Sequence, residues 1–142
     1  MRILIDADGC PVTKAAIKIA DEHNIEAVIF CDTSHIFDYP DVKVITVGKG
    51  ADSADFALVN SIETNDIIVT QDYGLAAMAL SRKGRPITQN GVIISNNNID
   101  MLLATRHVAK KARMAGKHLK GPSKRTKNQD IQFEISLKSM LN

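Results

Sequence analysis

A chain of 142 residues with a formal net charge of +2 has the length of one ordinary domain with a real hydrophobic core. Its 44% apolar and 24% charged residues exclude a disordered or collagen-like chain. Cys10 and Cys31 are the only two cysteines, too few for a disulfide scaffold and without zinc-type spacing.

No apolar run reaches the length of a membrane span, and Asp6 and Asp8 interrupt the first hydrophobic stretch almost at once. A secretory leader and a membrane anchor are therefore not expected, and the expected compartment is the cytoplasm. In chain order, Arg2-Ile3-Leu4-Ile5 predicts a buried strand, and Thr13 to His23 a helix with Pro11 near its start. Ala27 to Cys31 predicts a second strand and Val42 to Val47 a third, after which Gly48 and Gly50 break the chain. Asp52 to Glu63 reads as a helix with Ala54, Phe56, Ala57, Leu58, Val59 and Ile62 available for burial. Asp66 to Thr70 predicts a fourth strand, and Tyr73 to Lys83 a small apolar helix closed by Gly84 and Pro86. Gly91 to Ser95 predicts the fifth strand, with Asn96 to Asn98 capping a helix that runs to about Ala115. A basic, turn-prone loop follows at about 116–128. A closing helix from about Gln129 to Leu141 offers Ile131, Phe133, Ile135, Leu137 and Leu141 as anchors. Strands alternating with helices predict an α/β three-layer sandwich, with a mostly parallel sheet of about five strands in a single domain over 1–142.

The charge is unevenly placed. Residues 1–105 carry 8 Lys/Arg against 14 Asp/Glu, whereas residues 106–142 carry 10 against 2. An acidic body beside a basic tail predicts a cation-attracting cleft next to a surface for a polyanion.

Three groups of acids end strands or open helices. Asp6 and Asp8 follow the first strand with the spacing that points both carboxylates one way. Asp52 and Asp55, in GADSADFAL, lie one helical turn apart, with dipole complementation as the ordinary alternative role. Asp72 follows the fourth strand, where it also suits the N-cap of the next helix. Carboxylates meeting at one end of a sheet would suit one or two Mg²⁺ or Mn²⁺ ions, which take oxygen ligands, water and substrate phosphates. Such ions activate water for attack on a phosphodiester.

The strand-ending DAD, the GADSADFAL helix start and the IIVTQDYGLA strand–turn–helix resemble the acidic motifs of PIN-like and related NYN nuclease domains. More closely, ILIDADGCPV, VGKGADSAD, TQDYGLAAMAL and the basic GPSKRT loop resemble the bacterial YaiI/YqxD family over nearly the whole chain. The resemblance implies a PIN-like fold and a Mg²⁺- or Mn²⁺-dependent ribonuclease. It implies Asp6, Asp8, Asp52, Asp55 and Asp72 as metal-holding catalytic acids. Many PIN-like nucleases carry a further acid after the following strand, and here Ser95-Asn96-Asn97-Asn98 stands there.

Nine basic residues from Arg106 to Lys127 are uninterrupted by any acid, and Lys110, Arg113 and Lys117 share a helical face. This predicts a polyanion partner held by its phosphates, which the resemblance implies is RNA, with Lys120, Lys124, Arg125 and Lys127 as contacts. Aromatic residues are nearly absent from that segment, which argues against base stacking there. Ser53, Thr70 and Gln71 would orient water, metal or substrate. Two alternatives remain. One is a non-catalytic RNA- or protein-binding module that keeps the fold. The other is a phosphatase of the haloacid dehalogenase type, because DADG after a strand resembles that group's nucleophile motif, with Asp6 attacking. The latter lacks a later acidic pair after Ile94.

Overall fold

The computed structural model describes residues 1–32, 39–48, 53–116 and 124–141. Its strands are β1 (Ile3–Asp6), β2 (Ala27–Asp32), β3 (Lys43–Val47), β4 (Ile67–Val69) and β5 (Arg85–Ile87). Its helices are α1 (Thr13–Glu22), α2 (Ser53–Ser61), α3 (Tyr73–Ser81), α4 (Ile99–Met114) and α5 (Lys127–Met140). The five strands form one parallel sheet in the order β3-β2-β1-β4-β5.

The central strands are apolar up to the aspartates that end β1 and β2, as sheets covered on both faces require. Ile3, Ile5, Ile29, Ile67 and Val69 pack with Ala16 and Ile19 of α1 and with Phe133, Leu137 and Met140 of α5. Leu4, Val28, Phe30 and Ile68 point the other way, against Leu58 and Val59 of α2, Ile62, and Leu75 and Ala79 of α3. Alternation along each strand thus splits the core into two layers, and the chain is the expected α/β three-layer sandwich. Helix α4 lies outside this sandwich, with Ile99, Leu102 and Leu103 resting on Tyr73, Ala76, Ala77 and Leu80.

The predicted fifth strand is misplaced. The fifth strand of the sheet is Arg85–Ile87, and Gly91 to Ser95 supplies only a return in which Ile93 bridges Ile87 in antiparallel sense. Pro86 is tolerated because its neighbours do the pairing. Arg85 N donates to Asp66 O at 2.8 Å and Thr70 N donates to Ile87 O at 3.1 Å, which leaves the ring nitrogen of Pro86 on the outer edge. Gly91 turns this return with φ +86, and a Cβ there would stand 2.6 Å from the Gln132 carbonyl oxygen of α5.

Two helix faces also differ from expectation. On α5 the buried residues are Phe133, Leu137 and Met140, an i, i+4, i+7 stripe, and Ile131 and Ile135 fall off it and are exposed. On α2 the stripe is Leu58 and Val59, continued by Ile62, and Phe56 is 62% exposed. Thr126 caps α5 through a reciprocal capping box with Gln129.

Candidate functional site

Strand order reverses at β1, which has β2 on one side and β4 on the other. In open α/β sheets the crevice outside the carboxyl ends of such strands is the usual ligand site. β1 delivers Asp6 to it, and the chain then turns through Gly9, whose φ of +72 suits glycine. β4 delivers Thr70, Gln71 and Asp72.

A short chain of hydrogen bonds ties the two strand ends together. The Thr70 hydroxyl donates to Asp6 Oδ2 at 2.8 Å and accepts from the Asp72 backbone N–H at 3.0 Å. Thr70 is buried, so both hydroxyl bonds are fixed in orientation. Asp8 accepts from the Asp32 backbone N–H at 3.1 Å, which links the turn after β1 to the end of β2. Gln71 Oε1 accepts from the Gln89 N–H at 2.8 Å and so joins the end of β4 to the chain leaving β5.

Asp6, Asp8, Gly9, Cys10, Thr70, Gln71 and Gln89 line a narrow cleft of about 40 Å³. Beside it, Asp55 and Phe56 of α2, Asp72, Gly74, Leu75 and Met78 at α3, and Arg106 of α4 line a larger hollow of about 280 Å³. Asp72 caps α3, accepting from Gly74 N at 2.8 Å and Leu75 N at 3.2 Å, and the same oxygen lies 3.3 Å from Arg106 Nη1. Burial pushes the Asp6 carboxyl up from 3.8 to about 6; the Thr70 hydrogen bond opposes the rise, and the charges of Asp55, Asp72 and Asp8 add to it. Carboxylates from β1, the turn after it, α2 and the end of β4 therefore share one field.

The described acids do not form a closed cage. Among the described residues no group of three or more His, Cys, Asp or Glu side chains is set to hold a metal ion. One oxygen of Asp72 is committed to its helix cap, and Asp8 is held by Asp32. Asp6 and Asp8 nonetheless offer hard oxygen donors in one cleft, the donor set of a Mg²⁺-type site that takes one or two carboxylates and keeps its remaining positions for water and phosphate. Burial first, and the charges of Asp55, Asp72 and Asp8 after it, disfavour the ionised form of Asp6. Asp52 and Lys120 lie outside the described residues.

The other expected contacts are spread out. Ser53 is half-buried at the first position of α2, and Lys124 and Lys127 are exposed before and at the start of α5. Arg125 is a clamp, with Nε donating to Asp130, Nη1 to Asn90 and Nη2 to the Gln89 carbonyl oxygen, each at 2.7 Å. Because Gln89 lines the narrow cleft, that clamp brings the end of the basic segment to the cleft wall. Asn98 accepts from Ser95 N and donates to Ile93 O, so it builds the turn before α4. Two residues at the site escape sequence reading. Gln89 is hidden by the misplaced fifth strand, and Phe56 reads as core in an apolar run. The exposed stripe position of Phe56, two residues before Leu58, is the signal that could have found it.

Among the described residues no helix is long and apolar enough to cross a membrane. The family model described as "Uncharacterized BCR, YaiI/YqxD family" matches residues 4–142. A UPF0178 protein of Exiguobacterium sibiricum is 50% identical, over 99% of this chain and 96% of that protein. UPF0178 proteins of Lachnoclostridium phytofermentans and Clostridium acetobutylicum are 48% and 46% identical, each over 99% of this chain and 97% of theirs. No solved structure matches the chain. The chain belongs to the YaiI/YqxD family, whose curated relatives are the UPF0178 proteins.

Proposed function

We propose that this protein is a divalent-cation-dependent hydrolase of phosphodiester bonds in RNA, working at the crevice between β1 and β4. The observation that carries the reading is the pair Asp6 and Asp8 lining one cleft, with Asp55 and Asp72 near enough that their charges add to the burial that pushes Asp6 up to about 6. Asp6 and Asp8 would hold the cation, with Asp55 and Asp72 facing it from the adjoining hollow. When bound, Mg²⁺ or Mn²⁺ supplies Lewis-acid activation of water and neutralises phosphate charge. Thr70 keeps Asp6 in one orientation, and the backbone of Asp32 does the same for Asp8. Arg125 holds the Gln89 wall, and its chain neighbours Lys124 and Lys127 are exposed ammonium groups that would favour a polyanionic strand. The test is cleavage of end-labelled single-stranded RNA in Mn²⁺ and in Mg²⁺. Wild type should cut, and Asp6→Asn and Asp8→Asn should each lose at least about a hundredfold in rate, the scale set by removing one electrostatic catalytic group. Cleavage undiminished in both variants would overturn the assignment.

A second reading, a binding module without turnover, draws support from the commitment of Asn98 to its turn and from the absence of a ready three-acid group among the described residues. It predicts RNA binding at unchanged affinity in Asp6→Asn, with no cleavage by either protein.

A further inference from the structure

The larger hollow has a composition that cation binding does not explain. Of the three phenylalanines among the described residues, Phe30 and Phe133 are buried, whereas Phe56 is 62% exposed. Met78, also lining the hollow, is 43% exposed. Isolated exposed apolar residues are ordinary, but these two stand on neighbouring helices and share one concavity with Leu75 and an arginine. Helices α2 and α3 each send an apolar side chain outward into the hollow that Asp55 of α2 and Asp72, the cap of α3, also line.

Arg106 closes the third side. Its side chain is 60% exposed and meets only one oxygen of Asp72, at 3.3 Å. An exposed, monodentate pair of this kind contributes little, so the guanidinium can turn to a phosphate at small cost. Gly74 keeps the place open, since a Cβ there would stand 3.2 Å from Asp72 Oδ1 and 3.8 Å from Arg106 Nη1. At about 280 Å³ the hollow is near the lower bound of ordinary ligand pockets, roughly 300 Å³.

We propose that this hollow is a nucleotide subsite, in which one base of a single-stranded polynucleotide stacks on Phe56 against Met78 while Arg106 holds an adjoining phosphate. A flat, neutral base suits a pocket with apolar walls and two acids, where an anionic head group alone would be repelled. A base carries N–H donors on its edge and is tethered to the one charge that Arg106 accepts. The basic segment lacks aromatic residues of its own, and the fold supplies one from α2, fifty positions earlier in the chain than Arg106. This inference rests on the nuclease reading for its polynucleotide and adds where the strand lies relative to Asp6.

The chain has no tryptophan, so Phe56→Trp installs a single reporter in the hollow. Titrating that variant with a short oligoadenylate in EDTA, where no cation-dependent cleavage occurs, should quench its emission saturably. In parallel, Phe56→Ala should weaken binding of the same labelled oligonucleotide by about five- to thirtyfold, with Phe56→Trp restoring it. Arg106→Gln should weaken binding and reduce the salt dependence by about one phosphate contact. Phe56 is exposed, so these variants leave the core untouched. Absence of quenching, or full affinity in Phe56→Ala, overturns the subsite even if wild type cleaves RNA. Quenching and weakened binding without cleavage by wild type uphold the subsite and refute the catalytic reading.

Discussion

Asp6→Asn should make the protein more stable in the absence of divalent cations, and only above mildly acidic pH. In the fold the carboxyl is pushed up to about 6, against 3.8 ordinarily, so the native state resists ionisation that the unfolded chain accepts. Below about pH 4 both states carry the proton and Asp6 costs nothing. As pH rises from 4 to 6 the unfolded chain ionises first, and stability is lost progressively. Above about 6 the cost is complete. At 1.36 kcal/mol for each tenfold, the interval amounts to about 3 kcal/mol as an upper bound. Asparagine keeps a carbonyl oxygen for the Thr70 hydroxyl, and its amide must find a partner in a half-buried cleft, so about 2 kcal/mol is the expected gain. For a chain of this length that is a rise in Tm of roughly 4–8 °C. Thermal denaturation in EDTA at pH 8 and at pH 4 measures it. A variant less stable than wild type at pH 8, or equally stabilised at both pH values, would refute the account of Asp6 as a repelled, partly desolvated anion.

Other outcomes follow from the same geometry. Thr70→Val removes the donor to Asp6 and the acceptor of Asp72 N–H, so the Asp6 carboxyl should titrate still higher, as read by carbon NMR, with a stability loss of about 1–2 kcal/mol. Asp72→Ala should cost about 1 kcal/mol through the lost α3 cap, measured by urea denaturation. Phe133→Ala should cost about 3–5 kcal/mol, because that ring is fully buried between α5 and the sheet. Cation binding should weaken by roughly tenfold for each pH unit below about 6, since the proton on Asp6 must leave first; calorimetry at pH 5, 6 and 7 follows it.

The sheet was legible in sequence because parallel strands buried on both faces read as uninterrupted apolar runs, as Ile3 to Ile5 and Ile67 to Val69 do. The Arg85–Ile87 strand was not, since a three-residue edge strand with a proline reads as a helix stop, and Gly91 to Ser95 is the more hydrophobic segment. Asp6, Asp8, Asp55 and Asp72 were legible as strand-end and helix-start acids, and the other three each add to the rise at Asp6. Their division into a narrow cleft and a wider hollow was not, because it depends on how α2 and α3 cross the sheet. Arg125 reads as a free phosphate contact in a basic run. Only the fold shows that its guanidinium is committed to Gln89, Asn90 and Asp130.

Calorimetric titration of Mn²⁺ into wild type and Asp6→Asn at pH 7.5 tests the central claim most directly. Saturable binding that disappears in the variant is the predicted result, with the carboxylates of the β1–β4 crevice acting together on one cation. Absence of binding at millimolar Mn²⁺, or equal affinity in both proteins, would contradict it and leave these acids as caps and turn formers.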